Sequence, residues 1–209
     1  MKVNEIFFSI QGEGLLVGIP TIFVRLTGCN LRCRYCDTTY AYNEGTKMNI
    51  KEILGGIEKF PSQFICVTGG EPLAQKDIGK LIESLLKNRF LICVETNGSY
   101  SIKKYAGLKS LCISLDIKCP SSGSHKKMML DNICFLTKKD QLKFIIKDKK
   151  DFMYAKEVIE KYKPVCPVFF QPVWQTDPAK LASWILRDGL PVRLSLQIHK
   201  LIWGTKKGV

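Results

Sequence analysis

Two hydrophobic periodicities alternate along most of this chain, and this alternation limits the fold more than any other feature of the sequence. Short, nearly continuous apolar runs are typical of strands buried on both faces, whereas apolar residues three or four positions apart are typical of helices packed on a sheet. Seven runs predict strands, at residues 21–26, 64–68, 90–95, 111–116, 141–147, 168–171 and 192–198. Helical stripes fall between several of them, at residues 50–60, 78–86, 155–162 and 181–185. This order of elements predicts an α/β fold around a mostly parallel sheet.

The length of the chain restricts which parallel-sheet fold is possible. A complete eightfold barrel typically takes about 250 residues, and this chain has 209. We therefore expect an incomplete, (β/α)6-type partial TIM barrel. No linker divides the sequence, so residues 1–209 are predicted to form one domain, with a loop or short insertion at 119–132. In such folds the chemistry gathers at the carboxyl ends of the strands, and function should be sought there.

Composition excludes several classes of protein. No apolar run approaches the roughly 20 residues that span a bilayer, and the N-terminus lacks a secretory core, so we expect a cytoplasmic protein without membrane contact. The formal net charge of +13 would favour nucleic acid or anionic small molecules. Because the lysines lie in short scattered clusters, a solvated basic surface is favoured over a dedicated nucleic-acid face. Nine cysteines without a signal peptide favour metal or redox chemistry over disulfides.

Three cysteines follow the first predicted strand in a CxxxCxxC pattern. Cys29, Cys33 and Cys36 are close enough in sequence to converge on one metal centre. A structural zinc site needs four ligands, and no fourth cysteine or histidine follows nearby, although a distant one remains possible. An iron–sulfur cluster with three cysteine ligands instead keeps one iron open to a substrate or cofactor. The simplest alternative is three buried apolar cysteines, and apolar packing is the interpretation we favour for the other six.

The cysteine motif, with Tyr35 just before its last cysteine, resembles that of the radical S-adenosylmethionine superfamily. This resemblance implies a 4Fe-4S cluster on Cys29, Cys33 and Cys36, with S-adenosylmethionine on the open iron. Gly69-Gly70-Glu71-Pro72, after the second predicted strand, resembles the superfamily motif that receives the methionine amino group. Further polar residues follow the later strands, where Asp116 and Lys118 could also form only a local ion pair. The cofactor-binding residues implied are Tyr35, Cys36, Asp37, Gly70, Glu71, Thr96, Ser114, Asp116, Lys118 and Gln171.

Four further segments narrow the resemblance to one family, at residues 4–14, 18–26, 36–38 and 193–200. Gln11-Gly12-Glu13-Gly14, Cys36-Asp37-Thr38 and Gln197-Ile198-His199-Lys200 together resemble the 7-carboxy-7-deazaguanine synthases, over nearly the whole chain. The resemblance implies 6-carboxy-5,6,7,8-tetrahydropterin as substrate and Mg²⁺ as a further cofactor, with Thr38 as its ligand. The substrate-binding residues implied are Ile10, Gln11, Gly12, Glu13, Arg25, Thr68 and His199.

Simpler roles remain open for several of these residues, and the resemblance also implies partners. Arg25 could merely pair with Glu13, Thr38 could cap a turn, and His199, expected at a strand end, could be structural. The implied partners are a flavodoxin- or ferredoxin-type electron donor and a second copy of the chain, and the implied pathway leads to queuosine or archaeosine. Two rival functions stay open: an activase that makes a glycyl radical on a partner protein, and a metal-stabilised nucleic-acid-binding module.

Overall fold

The computed structural model describes all 209 residues and contains one nine-stranded sheet. The strands are β1 (Lys2–Ile10), β2 (Pro20–Leu26), β3 (Thr46–Lys47), β4 (Phe64–Gly69), β5 (Leu91–Thr96), β6 (Leu111–Ile117), β7 (Gln141–Ile146), β8 (Val168–Pro172) and β9 (Arg193–Leu194). Their order across the sheet is β3-β1-β2-β4-β5-β6-β7-β8-β9. Neighbours from β2 to β9 are parallel, whereas β1 is antiparallel to both β2 and β3. The sheet does not close, which confirms the predicted partial barrel.

Five helices connect or follow the strands. They are α1 (Ile50–Ile57), α2 (Ile78–Lys87), α3 (Lys149–Tyr162), α4 (Pro178–Arg187) and α5 (Ile198–Trp203). The sequence marks where several of them begin. The side chain of Asn49 accepts a hydrogen bond from the Glu52 amide, and the Glu52 carboxylate accepts one from the Asn49 amide, a capping box that satisfies backbone donors at the start of α1. Asp177 caps α4 in a similar way, just before Pro178.

Burial of one continuous apolar cluster holds the sheet and helices together. A cluster of 33 buried residues runs from Val3 on β1 to Ile185 on α4, with no division between an N-terminal and a C-terminal core. This continuity supports the prediction of a single domain. Along β2, alternate residues face opposite sides, so Val24 enters the core while Arg25 faces the concave side of the sheet. None of the helices has the length and apolar character needed to cross a bilayer.

The last predicted strand, at 192–198, is wrong for most of its length. Only Arg193 and Leu194 pair with β8, and the chain then leaves the sheet and turns into α5. The Ile198 amide donates to the Gly12 carbonyl, which draws the segment away from the sheet edge. His199 therefore lies on a helix and not at a strand end. The apolar pattern of 192–198 is too short to separate a strand from a helix turn.

Two strands were not predicted. β1 and β3 form the antiparallel edge, whereas the predicted pattern was a purely strand-helix alternation. The predicted loop at 119–132 contains three short 3-10 turns, at Pro120–Ser122, His125–Lys127 and Leu130–Phe135. All nine cysteines are free, and four of the six outside the CxxxCxxC segment are buried, as expected for apolar packing.

Candidate active site

A cavity of about 590 Å³ opens at the carboxyl ends of the parallel strands. Polar side chains from β2 and β4 to β8 point into it, together with the loop after β2 and the C-terminal segment from Gln197 onward. The site residues expected from the sequence lie in its lining, with the single exception of Glu71: Ile10, Gln11, Gly12, Glu13, Arg25, Cys29, Cys33, Tyr35, Cys36, Asp37, Thr38, Thr68, Gly70, Thr96, Ser114, Asp116, Lys118, Gln171 and His199. Topology thus brings residues that are up to 189 positions apart, Ile10 and His199, to one place.

The cysteine loop and the Gly69-Gly70 turn pack against each other at one end of the cavity. A Cβ on Gly70 would lie 2.2 Å from the Gly28 carbonyl oxygen and 2.9 Å from the Cys29 Cβ, so this contact requires glycine. The Cys29 thiol accepts hydrogen bonds from the Leu31 amide at 3.4 Å and from Asn97 Nδ2 at 3.7 Å. Burial and the adjacent Cys36 thiol raise the pKa of Tyr42, which packs beside the loop.

Glu71 lies behind this turn and not in the cavity. Its carboxylate accepts hydrogen bonds from the Thr96 hydroxyl at 2.8 Å, the Leu73 amide at 2.9 Å and the Asn97 amide at 2.6 Å. Burial raises its pKa, and these donors oppose that rise. With its oxygens occupied by the protein, Glu71 joins the ends of β4 and β5 instead of presenting a side chain to the cavity.

Glu13 carries a buried negative charge on one wall of the cavity. Lys143 Nζ lies 2.5 Å from one carboxylate oxygen, and Gln197 Nε2 donates to the other at 2.7 Å. Burial alone would raise the pKa of Glu13, yet the charge of Lys143 and the hydrogen bonds lower it to about 2. Glu13 is therefore ionised at neutral pH, and Lys143 remains charged because the nearby carboxylates raise its pKa despite burial.

Arg25 is held in one plane by its neighbours. Its Nε donates to Glu5 at 2.7 Å, and its guanidinium lies 5.5 Å from the centre of the Phe7 ring and 5.7 Å from that of Tyr40. The alternative pairing of Arg25 with Glu13 is not formed, since each has its own partner. The two terminal nitrogens of Arg25 make no hydrogen bond within the chain, which leaves that edge of the fork for an anionic group.

Hydrogen bonds to the Glu95 carboxylate join Gln11 to Thr68. Gln11 Nε2 donates to one oxygen of Glu95 at 3.3 Å, and the Thr68 hydroxyl donates to the other at 2.8 Å. The side-chain oxygen of Gln11, Oε1, in turn accepts from the Glu13 backbone amide at 3.3 Å. These contacts fix a row of amide and carboxylate groups along one side of the cavity.

Asp116, Lys118 and Gln171 form a further polar group in the cavity lining, next to Lys143, the partner of Glu13. Lys118 Nζ lies 2.7 Å from Asp116 Oδ2, and Lys143 approaches the same oxygen at 3.9 Å, so the local ion pair is formed. Asp116 Oδ1 and Gln171 Oε1 are nevertheless buried without any hydrogen-bond partner. Buried polar atoms are rarely left unpaired, so these two acceptors point to a ligand with hydroxyl or N–H donors.

Asp37 and Thr38 stand where the cysteine loop meets the C-terminal helix. The Thr38 hydroxyl donates to Asp37 at 3.0 Å, and the other Asp37 oxygen pairs with the ammonium of Lys200. Burial opposes the ionisation of Asp37, but the charge of Lys200 lowers its pKa. Thr38 precedes a 3-10 turn, yet its side chain does not cap it. The Thr38 oxygen thus faces the cavity beside a carboxylate.

His199 packs against the backbone of Gly12. A Cβ at Gly12 would lie only 1.9 Å from His199 Nδ1, so glycine is required for this contact. Burial lowers the pKa of His199, although Glu13 and Asp37 oppose the effect, and the imidazole is neutral at pH 7. His199 therefore presents a neutral donor and acceptor to the cavity.

Sequence reasoning missed Lys143, Glu95 and Gln197. A usable signal exists for Lys143, because a lysine within the apolar run of β7 must have a buried partner. It also exists for Glu95, which stands two residues beyond Cys93 and therefore on the concave face of β5. For Gln197 the signal is its place in the Gln197-Ile198-His199-Lys200 segment, although its contact with Glu13 depends on α5.

Comparisons with known proteins show which family this chain belongs to. Residues 23–171 match the model of the radical SAM superfamily. The chain is 38% identical over 209 residues to the 7-carboxy-7-deazaguanine synthase of Thermoplasma acidophilum, covering all of both chains. It is 41% identical over 203 residues to the synthase of Methanospirillum hungatei, covering 97% of this chain and 85% of the relative.

A solved structure shares the fold. The crystal structure of QueE from Escherichia coli superposes with a TM-score of 0.74 and 22% identity, covering 94% of this chain and 93% of the other. At this identity the likeness supports the architecture, while the full-length relatives establish the family. The chain belongs to the 7-carboxy-7-deazaguanine synthase family within the radical S-adenosylmethionine superfamily.

Proposed function

We propose that this chain converts 6-carboxy-5,6,7,8-tetrahydropterin to 7-carboxy-7-deazaguanine, with ring contraction and loss of ammonia. One observation carries the proposal: the CxxxCxxC cysteines and the Gln11–Glu13 edge line the same cavity. This shared lining supports a radical-generating centre and a pterin-binding surface within reach of one molecule.

The three loop cysteines fit a 4Fe-4S cluster better than a single ion. Around one zinc, with Zn–S distances of about 2.3 Å, thiolates approach within about 4 Å of each other. No three His, Cys, Asp or Glu side chains in the chain are gathered in this way. A cluster places each thiolate on a different iron and leaves the fourth iron open, which suits a loop that offers three cysteines.

The turn at Gly70 and the unpaired acceptors suit S-adenosylmethionine. The absence of a side chain at Gly70 lets the backbone approach an amino group, and Asp116 Oδ1 and Gln171 Oε1 can accept hydrogen bonds from ribose hydroxyls or an amino group. When bound, the cluster and S-adenosylmethionine together supply a 5′-deoxyadenosyl radical, chemistry that amino-acid side chains do not provide. The role of the protein is to hold the cluster and S-adenosylmethionine in contact with each other.

The row of polar groups formed by Gln11, Glu13 and Glu95 suits the pterin. The ionised Glu13 and the Glu95 carboxylate accept hydrogen bonds from the N–H groups of a pterin edge, and Gln11 offers both a donor and an acceptor. The free edge of Arg25 can pair with the substrate carboxylate in a two-point contact. Binding from both sides fixes which carbon faces the radical, and orientation of this kind is a large part of catalysis.

We also propose Mg²⁺ near Thr38. Its hydroxyl oxygen faces the cavity beside the Asp37 carboxylate, and oxygen ligands are those that Mg²⁺ prefers. Mg²⁺ usually keeps several waters and shares its coordination shell with the substrate, so the protein needs to supply only one side-chain oxygen as a ligand.

We also propose a homodimer. Leu194 on β9 and Leu201 and Ile202 on α5 are 40%, 65% and 56% exposed, and large apolar side chains with this exposure are available for contact with a second copy. The cavity, and not an open surface, contains the polar groups described above, and this favours a small-molecule substrate over the protein substrate of an activase or over nucleic acid.

Anaerobic reconstitution with iron and sulfide, followed by S-adenosylmethionine, Mg²⁺, a chemical reductant and the carboxytetrahydropterin, tests the proposal. We expect 7-carboxy-7-deazaguanine and 5′-deoxyadenosine by mass spectrometry. Cys33→Ala should yield neither, whereas Cys134→Ala, at an exposed cysteine outside the loop, should behave as the wild type. An iron-loaded protein that makes no product, or an active Cys33→Ala variant, contradicts the proposal.

A further inference from the structure

The segments that form and surround the cysteine loop contain no acidic residue, and the exposed carboxylates that border them are Asp37 and Asp131. Nineteen Asp and Glu residues occur in the chain, but none falls in residues 27–36, 97–110 or 119–130. The same segments contain exposed basic side chains next to the loop, at Arg32, Arg34, Lys126 and Lys127. We call these four residues the basic rim.

Hydrogen bonds join the three segments into one surface. The Arg34 amide donates to the Ser122 carbonyl at 3.1 Å, and Asn30 Nδ2 donates to the Ser99 hydroxyl at 2.8 Å. The Met129 amide donates to the Gly98 carbonyl at 2.9 Å. The basic rim therefore surrounds the cysteine loop on a packed frame and not on independent tails.

The charges of the basic rim are unpaired. Lysines elsewhere on the surface form ion pairs, such as Lys80 with Asp77 and Lys87 with Glu83 on α2. No member of the rim takes part in an ion pair. Unpaired charges of one sign give a field that attracts a partner of the opposite sign.

Two exposed apolar side chains lie on the same face. Tyr100 is 36% and Met129 is 45% exposed, and Asn132 ties their segments together by donating to the Tyr100 carbonyl at 2.8 Å while its own amide donates to the Met129 carbonyl at 3.0 Å. An aromatic residue and a methionine beside a charged rim are typical of protein interfaces. This combination favours a folded protein partner over the backbone of a nucleic acid.

We propose that the basic rim, with Tyr100 and Met129, docks an acidic protein that carries a low-potential one-electron centre. This inference rests on the proposed function, which consumes an electron that the chain itself does not supply. The donor is oxidised by one electron and the centre on the cysteine loop is reduced by one, with no bond or proton exchanged. The cavity side of the loop faces substrate and cofactor, so the outer face is the side left for the donor.

The test separates docking from chemistry by supplying electrons in two ways. The Lys126→Glu/Lys127→Glu variant reverses two rim charges that lie outside the cavity. Its matched control, Lys51→Glu/Lys59→Glu, makes the same charge change at exposed lysines of or next to α1. Each reconstituted protein is assayed with dithionite and, separately, with flavodoxin kept reduced by its reductase.

We expect dithionite-driven formation of 5′-deoxyadenosine to stay within about twofold of wild type in both variants. With flavodoxin, the rim variant should need roughly tenfold more donor for half-maximal rate, because opposite charges at an interface set the association rate. Calorimetry with oxidised flavodoxin, which needs no turnover, should show a matching loss of affinity and a weaker dependence on salt. The control should bind as the wild type does.

Equal flavodoxin affinity in the rim variant and the control overturns the docking proposal, as does a wild type that binds no such donor. A rim variant that loses tRNA affinity while keeping flavodoxin affinity also overturns it and assigns the surface to nucleic acid. A wild type that makes no 5′-deoxyadenosine with dithionite is a failure of the proposed function instead, and the calorimetric result still decides whether the surface docks the donor.

Discussion

Replacement of Lys143 by methionine should destabilise the protein and weaken substrate binding together. The side chains of Lys143 and Glu13 are only 7% and 13% exposed, and their charged atoms are 2.5 Å apart. Methionine keeps most of the length and removes the charge. Glu13 is then left buried with Gln197 as its remaining hydrogen-bond donor.

The structure gives the size of the effect. The pKa of Glu13 falls from its ordinary 4.5 to about 2, and at about 1.4 kcal/mol per pKa unit this corresponds to about 3 kcal/mol. Loss of one partner from a buried ion pair costs a similar amount, about 3–5 kcal/mol. For a chain of this size each kcal/mol moves Tm by roughly 2–4 °C, so we expect a fall of roughly 6–12 °C at pH 7.

The pH dependence follows from the direction of the pKa shift. Because folding lowers the pKa of Glu13, its stabilising contribution is present above pH 4.5 and is lost as the pH falls toward 2. The variant lacks most of this contribution already at neutral pH. The difference in Tm between wild type and variant should therefore narrow as the pH is lowered below about 4.5.

Thermal unfolding followed by circular dichroism between pH 3 and pH 8 measures these effects. The control is Lys150→Met, which removes an exposed lysine of α3 and should leave Tm nearly unchanged. Adding Glu13→Gln to Lys143→Met should restore part of the lost stability, since it removes the unpaired charge. A fall in Tm no larger than that of the control, at every pH, would refute the argument that this pair is strongly coupled.

Two further predictions concern the walls of the cavity. Gly12→Ala should displace His199 and raise KM for the pterin by about tenfold, the effect of losing about 1.4 kcal/mol of binding, because the new Cβ would lie 1.9 Å from Nδ1. Gly55→Ala on α1, where a Cβ meets nothing within 4 Å, should leave KM unchanged; equal steady-state KM values in the two variants contradict the assigned contact. Thr38→Ala should raise the Mg²⁺ concentration for half-maximal turnover, while Thr39→Ala at the exposed neighbour should not. Identical Mg²⁺ titrations of the two threonine variants would exclude Thr38 as a ligand.

The fold could be predicted to a large extent because its signals are local. Apolar runs and helical stripes identified the parallel strands from β2 to β8 and the helices α1, α2 and α4 within a few residues, whereas α3 begins six residues before its predicted stripe. The edges of the sheet could not be predicted, since a two-residue strand such as Arg193–Leu194 exists only through its pairing with β8. The helix that contains His199 likewise depends on the contact between Ile198 and Gly12.

The sequence predicts which residues line the cavity but not most of the hydrogen bonds and ion pairs between them. Strand parity places Ser114, Asp116 and Lys118 on one face, and the local ion pair was foreseen. The partner of Glu13 was not, because Lys143 lies 130 positions away and comes near only where the loop after β1 packs on β7, the Leu15 amide donating to Gln141 Oε1 at 2.7 Å. For Glu71 the motif correctly identifies the turn after β4. A contact with the cofactor was expected from its side chain, which instead lies outside the cavity lining and accepts a hydrogen bond from Thr96.

Transfer of an isotopic label tests most directly whether one cavity brings the substrate and S-adenosylmethionine together. The carboxytetrahydropterin is prepared with deuterium on the carbon that bears the carboxylate, and the 5′-deoxyadenosine from the reconstituted enzyme is analysed by mass spectrometry. Direct contact in the cavity predicts deuterium from the substrate in the 5′-deoxyadenosine. Because loss of ammonia is the only net change in the substrate, the abstracted hydrogen must be returned during turnover, so the label need not amount to one deuterium per product. Product formed alongside unlabelled 5′-deoxyadenosine, with the deuterium released to solvent, would contradict it.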